Sequence, residues 1–189
     1  MEVKLEKRYP VSASTAQAWA VLSDIRATAA CMPGAAITEQ VDATHFKGTV
    51  KSKVGPAVMQ FGGEIEVLAL DATTLSMQLL GKGADKAGSS ASMNLSAHIE
   101  PADTPDNCVL VGVATIAVSG KLAQFGSRLL VPVSDAMLAQ FADNFRSAAA
   151  ALAVAAVASP AAPVRELNAL ALVWTVIKGW LAGLFGKKS

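Results

Sequence analysis

His45, His98, Cys31 and Cys108 are the side chains of this 189-residue chain best suited to hold a metal or attack a substrate. Each histidine falls on the outward face of a strand pattern, with no Cys, Asp or Glu read at ligand spacing beside it. A metal site needs several converging ligands, so neither is expected to bind one. Cys31 could be a nucleophile only with a base and a group to orient that base, and no spacing supplies either. Glu64 and Glu66 share one strand face, which reads as a solvated surface rather than an acid/base pair. Gly81-Lys82-Gly83 has part of the look of a phosphate loop. It lacks the further glycine and the strand-to-helix setting of such loops, and reads as a hairpin turn. No catalytic residue, metal or covalent cofactor is expected, and the chain is read as a non-enzyme.

Binding chemistry is what remains. Met59, Met77, Met93 and Met137 all fall on inward positions, and methionine adapts its shape to an irregular apolar ligand. The expected cavity takes Phe46, Met59, Phe61, Met77, Leu79, Met93 and Leu95 from strands and Trp19 from an early helix. A long later helix adds Phe125, Leu129, Val133, Met137 and Phe141. Ordinary core packing is the competing reading of the same side chains. Lys82, Lys86, Lys121 and Arg128 stand in or just after loops at strand ends. They are candidates to ring the cavity mouth, facing a polar ligand head or an acidic partner, against the reading of solvated loop charge. Lys47, Lys51 and Lys53 form an outward basic stripe suited to guarding a sheet edge.

The elements that must position these residues follow from periodicity. Residues 2–9 alternate as a strand, with Val3, Leu5 and Lys7 on one face, and Pro10 is expected to end it. Ser12 or Ser14 caps a short helix carrying Trp19 and Leu22, and Asp24 caps a second that runs to about Cys31. Met32-Pro33-Gly34 stops that helix. Strand patterns fill residues 35–119, turning at Gly55-Pro56, at Asp71-Ala72-Thr73, in a glycine-rich loop from Gly81 to Ser90, and at Pro101 to Asn107. Residues 108–118 are apolar on both faces, as in a covered strand. From Leu122 the period becomes helical through Phe145, with Pro132 expected to kink or split the helix. Short strands joined by turns argue for an antiparallel sheet. The class is α+β: a curved antiparallel sheet wrapped on a long C-terminal helix, plus a separate tail helix. The domains read as 1–150 for the pocket domain, 151–166 for an Ala/Pro-rich linker and 167–189 for the tail.

Hydrophobic residues make up 52% of the chain and charged residues 16%, richer in apolar groups than an average soluble chain. The net charge of +1 offers no basic field for nucleic acid. Residues 167–189 carry Lys178, Lys187 and Lys188 and no acid, so the body before them is mildly acidic. Widely separated cysteines suit a reduced, cytoplasmic setting. The charged, alternating segment Met1–Glu6 has no apolar core of a secretory signal. Residues 167–185 form an apolar helix of about the 20 residues that cross a hydrocarbon core. Leu170, Ile177, Leu181, Leu184 and Phe185 supply its apolar surface. Trp174 and Trp180 suit the interface, and Lys187 and Lys188 suit cytoplasmic headgroups. Ala171, Thr175, Gly179 and Gly183 recur every four residues, the small-residue spacing of paired helices. The tail is therefore expected to anchor the chain at the cytoplasmic face of the cell membrane, by spanning or by lying in the interface, with self-association as an option. A helix docked on its own domain is the competing reading.

Several short stretches, in order, resemble one family. They are Met32-Pro33-Gly34-Ala35, Phe46-Lys47-Gly48, Val54-Gly55-Pro56, Phe61-Gly62-Gly63, Gly81-Lys82-Gly83, Gly88-Ser89-Ser90-Ala91 and Ser119-Gly120-Lys121-Leu122-Ala123, then Phe125-Gly126. Together, over about residues 2–150, they resemble the carbon monoxide dehydrogenase G-subunit family of the START-like, or SRPBCC, superfamily. The resemblance implies a helix-grip fold around a deep apolar cavity. It implies an accessory role beside a molybdenum hydroxylase of the carbon monoxide dehydrogenase type, tethering that enzyme to the cytoplasmic membrane. A quinone or isoprenoid lipid is the ligand that pocket and setting suggest. The rival functions are a pure tether with the pocket collapsed, a chaperone for cofactor maturation, and a START-like cyclase or aromatase.

Overall fold

A computed structural model describes residues 1–54 and 57–158. The elements run β1 (Glu2–Val11), α1 (Thr15–Leu22), α2 (Ile25–Cys31), β2 (Ala35–Gln40), β3 (His45–Val54), β4 (Ala57–Asp71), β5 (Ser76–Asp85), β6 (Ser90–Pro101) and β7 (Cys108–Ser119). A 3-10 segment (Gly120–Phe125) then leads into α3 (Gly126–Ala158). The strands form one seven-stranded sheet in the order β1-β7-β6-β5-β4-β3-β2, and every pairing is antiparallel. The curved sheet with its long C-terminal helix is the α+β arrangement that the periodicity predicts.

Local chemistry explains the two short helices. Ser14 accepts from the Gln17 N–H at 3.3 Å while the Gln17 side chain accepts from the Ser14 N–H at 2.9 Å, a reciprocal cap. Asp24 caps α2 by accepting from the N–H groups of Arg26 and Ala27. Gly34, at φ 77°, takes the left-handed turn that returns the chain into β2, a conformation that suits glycine.

Five expectations need correction. Pro10 does not end β1 but lies inside it, opposite Val109. β1 is an edge strand, so the missing N–H costs no ladder bond on its open side. Gly81-Lys82-Gly83 is not a hairpin turn: all three residues lie within β5, and the turn shrinks to the residues between Asp85 and Ser90. There the Asp85 carboxylate accepts from the N–H groups of Ala87 and Ser89 and fixes a tight loop. Pro132 does not split α3, which runs unbroken through it and on through residues 151–158, a stretch whose composition reads as linker. β3, with Lys47 and Lys51, is not an edge, because β2 covers it. Finally, each histidine does have an acid beside it. His45 meets Asp42 at 2.9 Å and His98 meets Glu100 at 3.0 Å.

Among the described residues, buried side chains form two clusters. The larger joins α1 and α2 to the sheet and to Phe145 and Ala149 of α3. The smaller gathers Met59, Val118 and Leu122, with Leu130 and Val133 of α3 packed on it. Three polar ties fix α3 further. Lys7 of β1 pairs with Asp135 at 2.9 Å. Arg146 Nε donates to the Pro10 carbonyl at 2.8 Å, and Asn144 Nδ2 donates to the Cys31 carbonyl at 2.9 Å. Met1–Ala155 form one compact unit. Among the described residues, no helix is long and apolar enough to cross a membrane. The tail residues Leu170, Trp174, Ile177, Trp180, Leu181, Leu184, Phe185, Lys187 and Lys188 lie outside the described residues.

On the outer face, Glu100 accepts from Arg8 Nη1 at 3.2 Å and contacts His98. The Arg8 guanidinium, then His98, hold its carboxyl at about 2 instead of the ordinary 4.5. A carboxyl depressed on folding contributes stability that is complete above the unfolded value and lost as pH falls through the folded one. Glu100→Gln should therefore flatten the loss of Tm between about pH 4.5 and 2. Calorimetry across that range, wild type against variant, checks it.

Candidate functional site

The candidate site begins with side chains that are absent. Across the inner face of the sheet, Gly48 of β3 stands opposite Gly63 of β4, Gly63 opposite Gly83 of β5, and Gly83 opposite Ala91 of β6. Two of these glycines are demanded by the backbone. A Cβ on Gly63 would lie 2.1 Å from the Lys82 carbonyl oxygen, and one on Gly48 would lie 2.8 Å from that of Ala36. Neighbouring strands approach here because the sheet bends. The bend and the missing side chains leave a cavity of about 350 Å³ between sheet and helix.

Its walls are apolar. Ile37, Val50, Phe61, Ile65, Met93 and Ile116 come from the strands, Leu122 from the 3-10 segment, and Leu130, Val133 and Met137 from α3. Ile37, Ile65 and Met93 pack on the larger core cluster, whereas Phe61, Ile116, Leu130 and Val133 pack on the smaller. The cavity is thus the gap between two packed regions. Its volume is within the range of roughly 300–1,000 Å³ usual for ligand pockets.

Of the residues expected to line it, Phe61, Met93, Val133 and Met137 do. Phe46, Met77 and Leu79 are instead buried in the larger cluster, with Trp19, Leu95 and Phe141 packed against it. Phe141 faces Phe145, ring centroids 5.9 Å apart. Met59 is buried in the smaller cluster. The side chains of Phe125 and Leu129 lie outside the described residues. Large inward side chains make the core, and small ones make the hollow. The glycines at alternate strand positions are the signal in the sequence that points to it.

The basic residues divide. Lys82 borders the cavity from an exposed position in mid-strand, not from a loop. Lys86 is exposed on the β5–β6 turn and Lys121 on the 3-10 segment. Turn and segment touch, since the buried Ser89 hydroxyl accepts from the Leu122 N–H at 3.1 Å. Lys86 and Lys121 therefore share the end of the fold where Ala91, Val118 and Leu122 line the cavity. Arg128 is exposed in the first turn of α3.

Cys31 and Cys108 are buried free thiols, and burial pushes both thiol pKa values up. His45 is exposed, and its pKa is raised by the Asp42 carboxylate. No group of three or more His, Cys, Asp or Glu able to hold a metal occurs among the described residues.

Residues 8–150 match the CoxG family, described as the G subunit of carbon monoxide dehydrogenase. The chain belongs to that family. The family's name ties it to carbon monoxide dehydrogenase. Among proteins with curated descriptions, none matches the chain by sequence. Solved structures share the fold. A conserved protein from Geobacillus kaustophilus aligns with a TM-score of 0.70 at 17% identity, covering 78% of this chain and 95% of its own. The Zhui aromatase/cyclase from Streptomyces sp. R1128 aligns at 0.58 and 13% identity, covering 79% and 94%. A START superfamily protein from Mycobacterium smegmatis aligns at 0.55 and 14% identity, covering 79% and 98%. The helix-grip expectation for the CoxG chain holds at the level of fold.

Two outcomes follow for this CoxG domain. Gly63→Ala should lower its stability by about 1–3 kcal/mol, because the neighbouring strand must move; thermal unfolding measures it. Cys31 and Cys108 should resist a thiol reagent in the native protein and react fully once it is unfolded, since burial disfavours the thiolate. Rapid native labelling of either would contradict the buried placement.

Proposed function

We propose that this CoxG chain is a non-catalytic accessory protein that recruits a molybdenum hydroxylase of the carbon monoxide dehydrogenase type to the cytoplasmic membrane and binds an apolar ligand, a quinone, in its cavity. The observation that carries the reading is the apolar hollow between the glycine row and α3. An apolar ligand leaves one dry environment for another when it passes from bilayer to such a pocket, so extraction is nearly neutral. The volume is near the low end for ligand sites. It therefore takes a headgroup and the start of a tail and leaves a long isoprenoid outside.

Family membership supports the hydroxylase partner, and the apolar sequence of 167–185 with Lys187 and Lys188 supports the membrane. Lys86 and Lys121, at one end of the cavity, are available to meet ligand carbonyls or an acidic face of the enzyme. A cyclase or aromatase would need an acid or base working inside the cavity. The titratable residues that border it, Glu64 and Lys82, have exposed side chains, which favours carriage over catalysis.

Two measurements test this. Mass spectrometry of the organic extract should find a quinone at near one per chain when the protein is purified from a quinone-producing bacterium. An empty extract that stays empty after incubation with added quinone would remove the ligand and leave a tether. Deleting residues 160–189 should move the protein, and the hydroxylase with it, from membrane to soluble fractions. Retention at the membrane would remove the anchor.

A further inference from the structure

One glycine in the cavity is not required by the backbone. Gly81 of β5 stands between Ile65 of β4 and Met93 of β6, both large, apolar and on the cavity wall. The row calls for a third such side chain. A Cβ on Gly81 would meet only Met93, its Cε at 3.7 Å and its Cβ at 4.0 Å. These are ordinary contacts, and the Met93 terminus is flexible. Gly81 has no positive φ. Glycine inside a strand sacrifices packing and backbone entropy, so Gly81 costs stability with no backbone reason, unlike Gly48 and Gly63.

Glycine in a strand also marks a place where a ligand comes close to the backbone. Gly81 and Gly83 are successive inward positions, so together they bare about 7 Å of β5. Gly63 extends that bare surface one strand over, by about 4.8 Å. The result is an L-shaped bare patch, with Ile65 in its angle and Phe61 and Met93 at its ends. Its β5 arm of about 7 Å is long enough for one flat ring lying on peptide planes.

We infer that Gly81 is the ring seat of the cavity: it is glycine so that the planar headgroup of the ligand can lie flat on β5. This rests on the ligand-binding reading above and deepens it. The ring lies on Gly81 and Gly83, and any aliphatic tail leaves past the α3 wall.

The test is equilibrium dialysis of the full chain, wild type and variants, against two probes. Menadione is a naphthoquinone ring without an isoprenoid tail; farnesol is an isoprenoid without a ring. Gly81→Leu should weaken menadione by about tenfold or more and farnesol by clearly less. Gly81→Val should leave Tm unchanged or raise it, since it restores the strand pattern. If Gly81→Leu does not fold, Gly81→Ala carries the same comparison with a loss of several-fold.

Each other outcome overturns the inference. Equal menadione binding by wild type and variant would remove the ring seat and leave the pocket standing. Binding of farnesol alone by the wild type would make the occupant a chain. A fall in Tm for Gly81→Val as large as that for Gly63→Ala would make Gly81 a backbone requirement. Failure of the wild type to bind either probe would remove the pocket reading, and this inference with it.

Discussion

Strands β3, β4 and β5 meet at Gly48, Gly63 and Gly83 with no side chain to fill the space beneath α3. That omission is the constraint on which the rest of the molecule depends. With a Cβ at Gly63, the approach of the Lys82 carbonyl would be sterically forbidden. With glycine there, the sheet can bend toward the helix while its interior stays open. A sheet of ordinary side chains would pack flat against α3 as one continuous core. Here the core is divided into two clusters, and the cavity is the space between them.

A divided core needs other means to hold its helix. The C-terminal half of α3 is seated in the larger cluster, where Phe145 and Ala149 are fully buried, and it carries the Asn144 and Arg146 bonds to backbone carbonyls. Those bonds satisfy the last turn of α2 and the carbonyl of the edge residue Pro10, groups that the ladders leave over. The half above the cavity is tied to β1 by the Lys7–Asp135 pair. It packs on the smaller cluster and contains Pro132, which removes one backbone bond from the helix ladder. The larger cluster thus lies away from the hollow and the smaller one beside it.

How much of this is legible in the sequence depends on which force sets each feature. Strand alternation, the Asp24 cap and the helical period after Leu122 are local signals, and they place the elements. Pro10 misleads because its cost depends on whether β1 is an edge, which only the sheet order decides. Gly81-Lys82-Gly83 looks like a turn because glycine carries no period; its pairing with Ile65 and Met93 is a long-range fact. The His45–Asp42 and His98–Glu100 contacts join residues three and two apart, so they are within reach of a sequence reading that looks past strand alternation. Large apolar residues are a poor guide to the cavity, because several of them fill the core. A hollow is set by what is missing, and the inward positions of Gly48 and Gly63 mark where.

The same logic bears on what a pocket of this kind can do. Apolar walls give a ligand little that a bilayer does not also give, so affinity for the hydrocarbon part comes close to cancelling. Discrimination would then come from shape at the glycine surface and from polar contacts at the end where Lys86 and Lys121 stand. On the proposed function, a site built that way would hold its ligand loosely enough to give it up. Tight burial of a whole isoprenoid would need a larger hollow, and a larger hollow would thin the smaller cluster that seats Leu130 and Val133. The size of the cavity is therefore a compromise between open space and contact for a helix, and the glycine row marks where that compromise was struck.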